Sequence, residues 1–445
     1  MTRHWGLILR LALPSIISFA TITLTGTINL ILVGHMGALV IAAVGVSNII
    51  MYNAWALCSG FGLTVNYLVA QNYGAGDMKK GVARTYLALY MCLGLGVLLH
   101  LIGWLAPASI LRLMGGSPEL VETGTDYLEI RFYAMAFATL SFIFHGFFRG
   151  VGDTKTPMIL SIASNILMVF FTYGLTYGHW GFPELGLPGA AWGIWIGEAV
   201  GLLGSAYVFF VRLHKRFATR IRAVIDRAES RLILAESGKL GVQEFAMSLA
   251  MFVFTMFVTR LGDEALAANE VALNVMSLGF MPAFAFSATA TILVGREVGR
   301  GNPLLAKRYQ TDTAVLGSLF LLVLGAVEFV FAAQIAGIYT ADPAVSELAE
   351  KLIRISAFLQ LFDGLFNFFA GGMRGLGETS FLVKASFLLS WLVFVPLAYL
   401  LTFVWGLDSV GAWISLYTFL TAYGVTVLIR FYRTDWSQVT VKEAG

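Results

Sequence analysis

Apolar residues along this chain gather in long unbroken runs, not in the alternating or one-sided patterns of water-facing strands and helices. Twelve such segments cover roughly residues 6–33, 39–72, 82–106, 119–148, 156–178, 187–211, 239–261, 265–295, 308–334, 345–372, 381–405 and 409–431. Each meets the ~20 residues that a helix needs to cross a bilayer. Several exceed it, which predicts tilt or extension into water. Barrel strands would instead show short alternating stretches. The pattern predicts an all-α membrane protein with twelve transmembrane helices.

Composition agrees. Of 445 residues, 58% are apolar and 12% charged, about half the charge of a soluble domain. The first apolar run follows Arg10, as in a signal peptide, but Pro14 interrupts it and no small-residue cleavage site follows, so it is read as a retained first helix. Cys58 and Cys92 fall inside apolar runs and are expected to be inert packing residues. With the N-terminus inside, 24 of the 29 Lys and Arg residues fall in cytoplasmic segments. Arg112, Arg131, Arg260, Lys351 and Arg354 remain in outer loops and adjoining helix ends. That asymmetry predicts a multi-pass inner-membrane protein with both termini cytoplasmic. The basic stretch after Arg212 reads as a linker.

The chain also repeats itself. At an offset of 225 residues, Val33 and Gly37 fall on Val258 and Gly262, and Leu68-Val69 falls on Leu293-Val294. Gly74 and Gly76 fall on Gly299 and Gly301, and Arg149-Gly-Val-Gly-Asp-Thr154 falls on Arg374-Gly-Leu-Gly-Glu-Thr379. The expected organisation is an N-lobe (1–212), a cytoplasmic linker (213–237), a C-lobe (238–433) and a tail (434–445). Six helices per half return the chain to its starting side. The lobes should therefore be related by a pseudo-two-fold axis along the membrane normal, with a cleft between them that opens alternately to either side.

Polar groups deep in a membrane are costly and mark functional candidates. They are Asn29, Asn165 and Glu198 in the first half, and Glu244, Glu270, Glu328 and Asp363 in the second. A carboxyl group in an apolar setting holds its proton more readily, so it can exchange protons near neutral pH or present charge to a cation. Glu244, Glu270 and Glu328 lie near predicted helix ends, where reaching interfacial water or capping a neighbour is the preferred account of them; for Glu198 the structural and functional readings stand even. Asp363 is buried in sequence among Phe362, Leu365, Phe366, Phe368 and Phe369 and points to function. The two R-G-x-G-(D/E)-T motifs read as cytoplasmic helix stops. Arg149 and Arg374 sit at helix C-termini, and Asp153 and Glu378 favour the next helix start. No nucleophile triad, zinc motif, Walker loop or dinucleotide glycine fingerprint is present, so no enzyme activity, metal or cofactor is expected, and no nucleic-acid partner.

The segment Asn29-Leu-Ile-Leu-Val-Gly-His-Met-Gly37, followed by Ile41-Ala-Ala-Val-Gly45, resembles the pattern D-x-x-x-V-G-x-x-G…L-A-A-x-G of the multidrug and toxic compound extrusion (MATE) family. The R-G-x-G-(D/E)-T blocks, Pro14 in helix 1 and the duplicated layout are similar too, and the DinF-like bacterial branch looks closest. The resemblance implies two V-arranged lobes and antiport of H⁺, in preference to Na⁺, against bulky organic cations, with the chain acting as a monomer and Pro14 bending helix 1. Asn29 then stands at the family's helix-1 aspartate, the proposed proton site. Asp363 resembles an acidic position of the NorM-like branch, and Asn165 matches the asparagine of an N-x-x-x-D pattern in helix 5. Val169 replaces that pattern's aspartate, and Met247 stands near a glutamate of Na⁺-coupled relatives. Asn29 cannot titrate; an aspartate-to-asparagine change mimicking the protonated acid is the preferred explanation, relocation of coupling the other. A flippase for lipid-linked substrates is the alternative, but its cavity should be basic, and no Arg or Lys is predicted near the bilayer centre.

Overall fold

A computed structural model describes residues 2–222 and 224–445, with side chains from His4 onward; residue 223, in the expected linker, lies outside. Among the described residues, twelve helices are long and apolar enough to cross a membrane. They are α1 (His4–Gly34), α2 (Ala38–Ala75), α3 (Met78–Leu105), α4 (Pro118–Gly150), α5 (Lys155–Tyr177) and α6 (Leu187–Arg212). The second six are α7 (Arg227–Thr259), α8 (Asp263–Gly299), α9 (Pro303–Val330), α10 (Pro343–Leu376), α11 (Thr379–Val404) and α12 (Asp408–Arg433). Short helices Pro107–Leu113 and Ala332–Tyr339 follow α3 and α9. Among the described residues there is no strand. Cys58 and Cys92 are buried and free.

The repeat extends to backbone detail. Left-handed glycines stand at Gly37 and Gly262, Gly76 and Gly301, and Gly152 and Gly377, all with φ between 70° and 119°. A side chain at such φ is strained, so one offset carries three obligatory glycine pairs. Asp77 caps α3 through Lys80 N, and its counterpart Asn302 caps α9 through Leu305 N. Ser117 and Asp342 likewise cap α4 and α10.

Helix packing repeats in the same register. In α4 a Cβ added at Gly146 would lie 2.5 Å from the Gly62 carbonyl oxygen, and one at Gly150 would lie 3.0 Å from that of Asn66. In α10 the counterparts are Gly371, 2.2 Å from the Ser287 oxygen, and Gly375, 3.0 Å from that of Thr291. Each pair is a small-xxx-small interface. Lipid supplies little drive for apolar side chains to associate, so close backbone approach supplies dispersion contacts instead.

The chain forms two compact units. One comprises residues 17–241 with 443–445; the other comprises 1–16 with 242–442. This departs from the expected division at residues 212 and 238. Ile8, Leu11 and Ala12 of α1 are buried in the same core as Ala250, Phe254 and Phe286. The first turns of α7, which begins inside the expected linker, are fixed to the first unit by polar contacts. Arg84 donates to both carboxylate oxygens of Glu229 at 2.7 and 3.2 Å, and the Tyr67 hydroxyl donates to Glu236 at 2.6 Å. A Cβ at Gly60 would lie 2.1 Å from the Ser237 carbonyl oxygen. The two crossovers follow residues 16 and 241, which are 225 apart. Pro14, buried two residues before the first, does not interrupt α1. One missing backbone hydrogen bond is tolerated where the helix is buried in protein, so the bend expected there is no break in the helix.

Arg84 is 1% and Glu229 17% exposed. Removing one member of a buried pair leaves the other's charge uncompensated. Arg84→Ala should therefore cost about 3 kcal/mol, read as a fall in the denaturation midpoint of the purified protein.

Candidate functional site

In the unit 242–442, Asp363 lies 20 residues into α10 and is 5% exposed. Its Oδ1 accepts from Asn367 Nδ2 at 3.2 Å, one helical turn on, and that amide also reaches the Asp363 carbonyl at 2.9 Å. Glu244, half-buried on α7, acts electrostatically on Asp363. It also faces Arg374, whose guanidinium donates to Ser287 Oγ at 2.6 Å. Among the described residues Asp363 and Glu244 have no ion-pair partner within 4.0 Å. Glu244 thus interacts through space with Asp363 and with Arg374, so a proton or cation gained at Glu244 is felt by both. The sequence singled out Glu244 and Asp363 separately; the fold makes them neighbours. Glu328 is buried against Gln360, a packing partnership within the membrane-spanning region. Glu270 is exposed.

In the unit 17–241, Asn29 is half-buried and Asn165 is 7% exposed. Asn29 Oδ1 and Asn165 Nδ2 are each enclosed without a hydrogen-bond partner. Neither carries charge, so this half brings no carboxylate to the two expected coupling positions. Glu198, half-buried on α6, is influenced by Arg131. Arg131 was expected in the outer loops and adjoining helix ends. It lies 13 residues beyond the start of α4, about 20 Å along the axis, not at a helix end. The polar residues that open α4 are helical, as the expected segment 119–148 already had them.

The two helix-end motifs stop their helices through Gly152 and Gly377. Asp153 caps α5, accepting from Thr156 N at 3.0 Å and Thr156 Oγ1 at 2.6 Å. Glu378, one carbon longer, makes no such cap and accepts from Arg430 at 3.5 Å. The arginines turn inward: both are 4% exposed. Arg149 lies 4.7 Å over the Phe19 ring and 5.8 Å from that of Phe142, a cation–π sandwich in place of solvation. An apolar groove of about 470 Å³ between α3 and α4, lined by Leu93, Val97, His100, Trp104 and Phe137 among others, includes none of these groups.

Comparison with known proteins decides the family. The MatE family profile matches residues 14–174 and again 240–400, once in each half. The chain belongs to the MatE family. It is thus a multi-pass membrane transporter and not an enzyme. It is 27% identical to the probable multidrug resistance protein NorM of Thermotoga maritima, over 98% of this chain and 93% of that protein. It is 29% identical to multidrug resistance protein PmpM of Pseudomonas aeruginosa, covering 96% and 91%. It is 30% identical to the probable NorM of Xanthomonas campestris pv. campestris, covering 96% and 93%. None of these three carries the name DinF. The fold matches that of a crystal structure described as MATE in the straight conformation, with a TM-score of 0.88 at 22% identity, covering 96% and 95%. It also matches a MOP superfamily transporter from Pyrococcus furiosus, again with a TM-score of 0.88, at 21% identity, covering 96% and 94%.

Proposed function

We propose that this MatE transporter is a multidrug exporter of the bacterial inner membrane that exchanges H⁺ for bulky organic cations. The observation that carries the reading is the through-space pairing of Asp363 with Glu244, two carboxyl groups in membrane-spanning helices, one of them almost fully enclosed, with no ion-pair partner within 4.0 Å of either among the described residues. A buried carboxylate needs neutralisation; a proton supplies it in one state and a cationic drug in another, and competition for the same charge links the two fluxes. The names of the relatives, all multidrug resistance proteins, support the substrate class. Carboxyl groups outnumber the single deep arginine near these positions, which favours organic cations over the phosphates of lipid-linked substrates. With Asn29 uncharged, coupling rests on the second half.

The test is uptake of ethidium into inverted vesicles under an imposed gradient. A proton gradient alone should drive accumulation. Drive by a Na⁺ gradient alone would overturn the choice of ion, and no accumulation under either gradient would overturn the function.

A further inference from the structure

The link between α6 and α7 carries more positive charge than a connection needs. Arg212, Lys215, Arg216, Arg220 and Arg222 are all exposed. Among the described residues none of them has a carboxylate within 4.0 Å. No acid occurs in the segment before Asp226, and the next two acids are already engaged. Asp226 Oδ1 accepts from Ala228 N at 2.8 Å and Glu229 N at 3.2 Å, which starts α7. Glu229 is held by Arg84.

The segment is nonetheless well anchored. Phe217 packs edge to face against Tyr73 and Phe147, each at 6.1 Å. Thr219 is fully buried; its hydroxyl donates to the Phe209 carbonyl oxygen, and its own carbonyl accepts from the Tyr86 hydroxyl at 2.6 Å. Arg220 Nε donates to the Phe210 carbonyl oxygen at 2.7 Å, and Arg216 Nη2 to the Tyr73 hydroxyl at 3.2 Å. Those acceptors are neutral, so they fix the backbone path and leave the charges uncompensated. Arg212, Lys215 and Arg222 make no hydrogen bond among the described residues.

The neighbours have the character of a lipid–water boundary. Both α6 and α7 are long and apolar enough to span, so the segment joining them lies where the chain leaves the bilayer. Tyr207, five residues before Arg212, is 62% exposed, and Tyr90 is 42% exposed. The Tyr90 ring lies 6.1 Å from that of Tyr86, the residue that holds Thr219. Exposed tyrosines on spanning helices are characteristic of the headgroup region. Beyond the cations, Val224 and Ile225 are 81% and 72% exposed. Cations beside bare aliphatic side chains match a lipid with a negative headgroup, since the charge meets the arginines and the acyl chain covers the aliphatic pair. A soluble polyanion would match the charge and leave that pair in water.

We propose that residues 212–225 form a docking site for anionic phospholipids, with Arg212, Lys215 and Arg222 taking the headgroup.

The experiment reads which lipid stands against this segment. Val224→Cys carries a bimane label; Cys58 and Cys92 are buried and stay unlabelled. The labelled protein is reconstituted in phosphatidylcholine vesicles with a minor fraction of nitroxide-tailed lipid, either phosphatidylglycerol or phosphatidylcholine. Half-quenching should need about fivefold less of the anionic quencher, the preference that one basic contact carries. In Arg212→Gln/Lys215→Gln/Arg222→Gln the ratio should fall to about twofold or less, and in the charge-keeping Arg212→Lys/Lys215→Arg/Arg222→Lys it should stay near about fivefold. Equal quenching by the two lipids in the unaltered background would overturn the proposal. An undiminished ratio in the Gln variant would do the same, by putting the anionic lipid elsewhere. Loss in both triple variants would trace the ratio to packing of the segment, and its abolition by millimolar inorganic phosphate would identify a soluble anion as the occupant; each also counts against a lipid site.

Discussion

Asp363→Asn should abolish gradient-driven export, lowering the initial rate at least tenfold toward that of empty vesicles, while dye affinity changes by no more than about threefold. The substitution keeps size and shape, and the amide oxygen can still accept from Asn367 at the 3.2 Å position, so folding is spared. What disappears is the only group in the interior of α10 that can both lose and regain a proton. Glu244→Gln should give a partial loss, because Glu244 is half-buried and reaches Asp363 through space. Initial rates of ethidium transport, alongside binding isotherms, separate coupling from affinity. Export at the unaltered rate by Asp363→Asn would return that residue to a packing role. Asn29→Asp provides the complementary measurement: if coupling has relocated to the second half, export by that variant and by the unaltered chain should agree within about twofold.

Gly371→Ala should be among the most damaging single methyl additions to this chain, costing about 3 kcal/mol. The added carbon would sit 2.2 Å from the Ser287 carbonyl oxygen. That oxygen belongs to the backbone of α8 and cannot swing aside as a side chain would, so two helices must separate along their length. The same shift would disturb the 2.6 Å contact between Arg374 and Ser287 Oγ, one turn away. Gly94→Ala in α3, where nothing lies within 4 Å of the new carbon, should instead be neutral or gain up to about 1 kcal/mol from helix propensity. Denaturation midpoints of the two purified variants, measured side by side, give the contrast. A loss in Gly371→Ala no greater than in Gly94→Ala would mean that α8 and α10 do not meet as described.

Much of the architecture was legible before any coordinates. Solid apolar runs locate membrane helices because lipid leaves the backbone few alternatives, and a constant offset of 225 betrays duplication through glycines that their φ values require. Other features were hidden for identifiable reasons. The glycines at 146 and 371 precede the R-G-x-G-(D/E)-T motifs, and their spacing of four from Gly150 and Gly375 was the signal available. Arg131 falls 12 residues into the expected segment 119–148 yet was counted with the outer loops and adjoining helix ends, because that segment opens in polar sequence; the helix Pro118–Gly150 carries it 13 residues in. Arg149 and Arg374 were expected at solvated helix ends, since nothing in the motif announces the rings or hydroxyl that receive them. The proximity of Glu244 to Asp363 spans more than a hundred residues and becomes visible only when α7 and α10 are folded together.

The crossovers after residues 16 and 241 bear on ancestry. Each half surrenders the opening turns of its first helix to the core of its sibling and receives the equivalent turns in return. A primordial six-helix protein of this design could not have completed itself. It would have needed a twin, each lending the other about four turns of helix, and gene fusion would have made permanent a loan that was already mutual.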